Sequence, residues 1–279
     1  MIKVLKAGFY TTIQDLGRFG YRDKGVPVSG AMDTYSSSLA NALLDNDQNA
    51  AVLEMTMLGP KLKFMTDTEI AISGAYMHPS LNDTPLSNNR KYRVKMGDVL
   101  NFKGVSDGFR TYLAVKDGIQ SPVVLNSRSM YVPITTFAQL KEDTTIPVNA
   151  ASGHVTEYAH IKTDEEWYSG NDIEVFKGPE YDLFPDIKKR LRNDYTVSKV
   201  NNRMAYQVEE VFITHERSML TSATIPGTVQ LTPAGKLIIL MKDAQTTGGY
   251  PRVFQLTEKA IAKLAQKKAG ENIRFELLT

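Results

Sequence analysis

A chain of 279 residues can bury roughly three quarters of its unfolded surface, enough for a substantial core without disulfides or metals. Its 33 basic and 31 acidic residues are well mixed and leave a net charge of +2, which argues against nucleic acid or another polyanion as partner. The absence of cysteine excludes a disulfide framework and a thiolate nucleophile and favours a reducing compartment. No charged leader and apolar segment precede the first strand, and no apolar run approaches the ~20 residues of a membrane span, so a cytoplasmic location is expected.

Short strands are predicted at residues 2–6 and 9–13, separated at Gly8. A loop rich in glycine and proline then runs from Gly17 to Gly30, and its composition rules out a helix or a straight strand. Asp33 or Thr34 caps a helix on which Tyr35, Leu39, Ala42 and Leu43 recur at helical spacing, ending near Asn46, with one more turn capped by Asp47. Further strands are expected at residues 52–57, 61–64, 69–73, 91–94, 99–102 and 109–115, with turns at Asn82-Asp83, Gly97-Asp98 and Asp107-Gly108 between them. The pattern weakens from Ile119 to about Gly170, where Pro122, Pro133 and Pro147 interrupt it and Thr163 to Glu166 form a polar run. A boundary is placed there, giving an N-terminal lobe of residues 1–165 and a C-terminal lobe of residues 166–279.

Beyond it, strands are expected at residues 172–176, 195–198, 205–209, 227–231, 236–241, 253–256 and 272–278, with a short helical piece at residues 186–192. A helix capped by Thr257 buries Ile261, Leu264 and Ala265 and is expected to stop at Gly270 as its C′ residue. Many short strands with few helices make the fold mainly β, of barrel or sandwich type.

The chemistry-bearing signals lie near the two ends. Gln14, Asp15, Arg18, Tyr21, Arg22, Ser29, Gly30 and Asp33 sit in or beside the glycine loop, which holds more donors and acceptors than a turn needs. The second signal is Asp243, Gln245, Thr246, Thr247, Gly248, Gly249 and Tyr250, directly after an apolar strand; hydroxyls and glycine N–H groups there suit an anionic or carbonyl oxygen. Either loop can equally be a self-satisfied turn. The four histidines, His78, His154, His160 and His215, show no metal-ligand spacing, so no metal is expected. Walker P-loop, Rossmann and GxSxG motifs are absent.

The run TTIQDLGRFGYRDKGVPVSGAMD from Thr11, with Leu53-Glu54 beyond it, resembles the opening of KipA-type proteins, a family also known as allophanate hydrolase subunit 2 or the C component of 5-oxoprolinase. Ile225-Pro226-Gly227-Thr228-Val229-Gln230 and the stretch from Asp243 to Pro251 resemble that family's closing signature. The resemblance implies two cyclophilin-like β-barrel lobes with a few short helices. It further implies one component of an ATP-dependent enzyme that opens the cyclic amide 5-oxoproline to glutamate, acting with a KipI-like B component and an A component of 5-oxoprolinase. With it in hand, the two loops are expected to line one cleft. Gln14, Asp15, Arg18, Gln245 and Thr246 are then the candidate catalytic residues. The candidate substrate contacts are Tyr21, Ser29, Gly30, Asp33, Arg128, Arg203, Gln230, Asp243, Thr247, Gly248, Gly249 and Tyr250.

Arg18 is assigned the anionic substrate, because a planar guanidinium holds carboxylate or phosphate bidentately, and Asp15 is either its structural partner or a general base. ATP is expected on a partner protein of the complex. Two alternatives stand beside this reading: the carboxyltransferase component of a biotin-dependent urea carboxylase-like enzyme, with biotin carried by another chain, and a non-catalytic regulator that binds a KipI-like kinase inhibitor. Departures from the family pattern at Asn126, Met130, Ala205, Gln207 and Ala244 remove two arginines and flexible glycines, and so point toward a different substrate or a diverged paralogue.

Overall fold

The computed structural model describes residues 1–150, 167–191 and 193–278; His154, His160, Arg192 and the polar run Thr163 to Glu166 lie outside them. The chain divides into two compact units. The first comprises Met1–Arg18 and Asp33–Glu165, the second Phe19–Met32 and Glu166–Thr279. Among the described residues no helix is long and apolar enough to cross a membrane.

Two antiparallel sheets build the first unit. One has the strand order Thr145–Ile146, Ile2–Lys6, Lys61–Phe64, Val99–Asn101, Ser80–Leu81, Thr84–Pro85. The other has the order Tyr10–Gln14, Val52–Thr56, Asp107–Val115, Thr68–Tyr76, Lys91–Val94. Ile2, Val4, Leu62 and Phe64 from the first sheet and Leu53, Met55, Ile72 and Leu113 from the second share one buried cluster. Because side chains alternate along a strand, Val52, Glu54, Thr56, Arg110 and Tyr112 turn to the other face of the five-stranded sheet. That face is buried too, and polar.

Against it packs the helix Thr34–Ala42, which buries Ser36, Ser37, Ala40 and Asn41. Its cap is the expected one, Asp33 accepting from the Ser36 N–H at 2.9 Å. It ends four residues earlier than the apolar spacing suggests, since Asp45 adopts φ 49° and the Asn46 side chain folds back onto Asn41 Oδ1 and the Val115 carbonyl. The extra turn expected at Asp47 is present, the Ala50 N–H donating to the Asp47 carbonyl at 2.9 Å and the Asn49 N–H to Asp47 Oδ1 at 2.7 Å.

In the second unit seven strands run in the order Tyr195–Thr196, Asn272–Leu277, Asp172–Lys177, Arg252–Leu256, Thr228–Leu231, Leu237–Leu240, Ala205–Gln207. Among the described residues, only the pair Asp172–Lys177 and Asn272–Leu277 is parallel. The two edges meet: the Ser198 N–H donates to the Gln207 carbonyl and the Glu209 N–H to the Thr196 carbonyl, each at 2.9 Å. The sheet therefore closes on itself around Val175, Tyr195, Phe212, Val229, Phe254 and Phe275, with Met32 packed into the same core. The helix Glu258–Ala265 is capped by Thr257 and buries Ile261, Leu264 and Ala265, as its spacing predicts. Gly270 is not its C′ residue. Gln266 caps the helix, and Gly270 occupies a later turn at φ 87°, its N–H bonded to the Val197 carbonyl.

The mainly β expectation with a few short helices is what the structure shows. Five short strands, at Ser80–Leu81, Thr84–Pro85, Thr145–Ile146, Ser222–Ala223 and Thr247–Gly248, carry no strand pattern in the sequence.

Candidate functional site

In the first unit, the strand Tyr10–Gln14 leads directly into the signature. Gln14 is fully buried, and its Nε2 donates to Thr12 Oγ1 at 3.0 Å and to the Met130 carbonyl at 3.4 Å. Since a carbonyl can only accept, Met130 fixes which end of the amide is nitrogen. Gln14 Oε1 is buried and, among the described residues, has no hydrogen-bond partner.

Asp15 ties the next segment together. Its Oδ1 accepts from the Ser127 hydroxyl at 2.7 Å, the Ser129 hydroxyl at 2.6 Å and the Gly17 N–H at 2.9 Å, while Oδ2 accepts from the Arg128 N–H at 2.6 Å. Three of these bonds join residues more than a hundred positions apart. Arg18 is fully buried and donates from Nε to the Val124 carbonyl at 3.0 Å and from Nη2 to the Ser129 carbonyl at 2.8 Å. Arg128 directs Nη2 to Gln120 Oε1 at 3.2 Å. Asn126, which stands where the family pattern has glycine, takes φ 61°, a left-handed conformation that asparagine tolerates better than other side chains.

Next to the candidate Asp33 lies a buried polar network whose side chains, Glu54, Arg110 and Tyr112, are not among the sequence-predicted candidates. The Tyr112 hydroxyl accepts from the Asp33 N–H at 2.8 Å and donates to Glu54 Oε2 at 2.8 Å, with Arg110 Nε 3.9 Å from Glu54 Oε1. Burial, reinforced by the charges of Glu54 and Asp33, holds the Tyr112 pKa well above its ordinary value, so the group stays a phenol and a donor. The signal was present: Glu54, Arg110 and Tyr112 are polar residues at the non-core parity of apolar strands.

In the second unit, three segments far apart in sequence come together. Ser29 is fully buried at φ 57°, its N–H bonded to the Lys242 carbonyl at 2.8 Å; its hydroxyl has no partner among the described residues. The Gly30 carbonyl accepts from Arg203 Nη2 at 2.7 Å. Arg203 in turn grips Asp243, and the Asp243 N–H returns to the Arg203 carbonyl at 2.8 Å. These two residues, expected as substrate contacts, are paired with each other.

The loop after Asp243 is held by Thr224, whose N–H donates to the Thr246 carbonyl at 3.0 Å and whose hydroxyl donates to the Gln245 carbonyl at 2.8 Å. Thr247–Gly248 pairs with Ser222–Ala223. Arg22, a polar residue of the glycine loop but not among the expected substrate contacts, reaches this loop through the Thr224 carbonyl and lies 3.5 Å from the Thr246 carbonyl. Burial lowers its pKa from the usual arginine value. Gln230, fully buried, accepts from Gln245 Nε2 at 3.4 Å and donates to the Tyr250 carbonyl at 3.4 Å. A Cβ on Gly248 would collide with the Gln230 amide, which explains glycine at that position. Gln245, Thr247, Gly249 and Tyr250 are exposed, and Thr246 and Tyr21 are half-buried.

Residues 24–277 match the family model described as carboxyltransferase domain, subdomain A and B. The chain is 35% identical to the C component of 5-oxoprolinase from Escherichia coli over 99% of its own length and 90% of the relative. The crystal structure of TTHA0988 superimposes with a TM-score of 0.90 at 23% identity, covering 99% of this chain and 55% of that one. The Kluyveromyces lactis urea amidolyase superimposes with a TM-score of 0.79 at 25% identity, covering all of this chain and 19% of that one.

Proposed function

The chain belongs to the family of carboxyltransferase-domain proteins that includes the C component of 5-oxoprolinase, and from that premise we propose that it is one part of a cytoplasmic, ATP-dependent enzyme that opens 5-oxoproline to glutamate. The observation that carries this reading is similarity to such a 5-oxoprolinase component over nearly the full length of both chains. A KipI-like B component and an A component complete the proposed complex. The proposed substrate is an anionic cyclic amide.

An amide is inert because nitrogen donates into the carbonyl. ATP, held by a partner protein since this sequence has no P-loop, supplies activation of the carbonyl oxygen. This chain's own contribution is to bind and orient. The first unit offers a fully buried Gln14 amide on a rigid strand. The second offers the buried Ser29 hydroxyl and the amides of Gln230 and Gln245. Among the arginines, Arg18 donates to the Val124 and Ser129 carbonyls and Arg203 is paired with Asp243. In this proposal those two organise the loops, and recognition falls to neutral hydrogen-bonding groups.

The test is co-expression with the A and B components, followed by assay of 5-oxoproline-dependent ATP hydrolysis and glutamate formation, with and without this chain. Turnover that needs all three supports the reading; the same turnover without this chain removes it. A second reading, the carboxyltransferase component of a biotin-dependent enzyme, is favoured by the match to the carboxyltransferase family model and by the urea amidolyase fold. It predicts dependence on carboxybiotin carried by another chain. Tight binding of a KipI-like protein with no turnover would instead favour a regulator.

A further inference from the structure

The Gln14 amide is held at one end and unmet at the other. Its nitrogen is committed to Thr12 Oγ1 and to the Met130 carbonyl. The Met130 segment is itself locked to the strand, the Met130 N–H donating to the Ile13 carbonyl at 2.9 Å. Rotating the amide by half a turn would set two oxygens against each other at Met130, so Oε1 stays where it is. That oxygen is buried with no donor among the described residues, a condition that is costly and rare in folded proteins. Gln14 also stands on the polar face of the five-stranded sheet, in register with Val52 and two residues along from the pair Thr12 and Glu54.

A fixed acceptor with no donor asks for a ligand that brings one. A carboxylate or phosphate brings none, whereas an amide N–H does. Resting on the function proposed above, we infer that Gln14 is a specificity-determining residue that recognises the N–H of the substrate's scissile amide through Oε1. The ligand class is a secondary amide with a free N–H, the lactam of 5-oxoproline being the case at hand.

The experiment compares 5-oxoproline with 3-oxocyclopentane-1-carboxylate, in which a methylene replaces the ring N–H while ketone and carboxylate remain. Dissociation constants of both are measured by calorimetry on the reconstituted complex without ATP, for the wild type and for Gln14→Met. The wild type is expected to bind the analogue about tenfold to a hundredfold more weakly, and Gln14→Met to bring the two constants together. The ratio is taken within each protein, so a loss of folded material does not distort it. Equal binding of both ligands by the wild type overturns the inference while leaving 5-oxoproline turnover intact. An undiminished ratio in Gln14→Met overturns it also, by assigning the N–H to another group. If the wild-type complex neither binds nor turns over 5-oxoproline, the functional reading fails first and the inference falls with it.

Discussion

Arg203 grips Asp243 through two hydrogen bonds, Nε to Oδ2 at 2.8 Å and Nη2 to Oδ1 at 3.1 Å, with both side chains largely buried. The same guanidinium holds the Gly30 carbonyl, so one ion pair fixes the end of the glycine segment and the start of the Asp243 loop together. Breaking a buried pair strands an uncompensated charge. Arg203→Met or Asp243→Leu alone is expected to cost about 3–5 kcal/mol, and the double variant less than the sum. Urea unfolding of the four proteins in a double-mutant cycle measures it; additive losses would contradict the coupling.

Asp15 predicts a different kind of loss. Asp15→Ala leaves the Ser127 and Ser129 hydroxyls and the Arg128 and Gly17 N–H groups without their acceptor. At about 1–3 kcal/mol for each buried group left unsatisfied, partly relieved by rearrangement, a loss of at least about 3 kcal/mol is expected. Asp15→Asn, which keeps one acceptor oxygen, is expected to lose less. Chemical denaturation ranks the two.

Ser29 combines a left-handed backbone with an unmet hydroxyl. Glycine suits that conformation, so Ser29→Gly is expected to raise stability by about 0.5–1 kcal/mol while weakening the proposed enzyme activity. Ser29→Val, β-branched at positive φ, is expected to destabilise. Thermal unfolding beside steady-state kinetics of the complex would show the split.

Gly248→Ala drives a methyl group into the Gln230 amide. Stability and turnover are both expected to fall. Adding Gln230→Ala makes room for the methyl and is expected to restore stability without restoring turnover. Recovery of both would make Gln230 a packing residue only.

The Arg252 guanidinium, hydrogen-bonded to Glu180 at 2.8 and 3.0 Å, holds the Glu180 carboxyl below its ordinary value. A folded-state pKa lowered in this way adds stability that is fully present above the unfolded pKa and is lost as pH falls through the folded one. Stability measured from neutral pH down through the carboxylate range is therefore expected to drop less steeply in Glu180→Gln than in the wild type. Parallel curves would remove this pair as a contributor.

Local structure was legible wherever one residue type carries the signal. Asp33 and Thr257 announce their helices because a short acceptor side chain satisfies an otherwise orphaned N–H. Residue spacing did not reveal where the first helix stops, because Asp45 and the side chain of Asn46 decide it through contacts with Asn41 and Val115. In the candidate site, both signatures were visible as donor-rich segments. The partners that fix them were not: Arg18 bonds to the carbonyls of Val124 and Ser129, and Arg22 to that of Thr224. Backbone carbonyls leave no mark on a sequence. Glu54, Arg110 and Tyr112 were readable from alternation alone, as polar residues set at one parity along apolar strands.

Because Phe19–Met32 belongs with a body whose remaining residues begin more than a hundred positions later, no single cut in the gene releases that body whole. A fragment starting after the first unit would lack Met32 from its core and the Gly30 carbonyl from Arg203. Dissection by truncation would thus report on a damaged barrel. A faithful isolated version calls for grafting the excised peptide back on through a designed linker, or supplying it in trans.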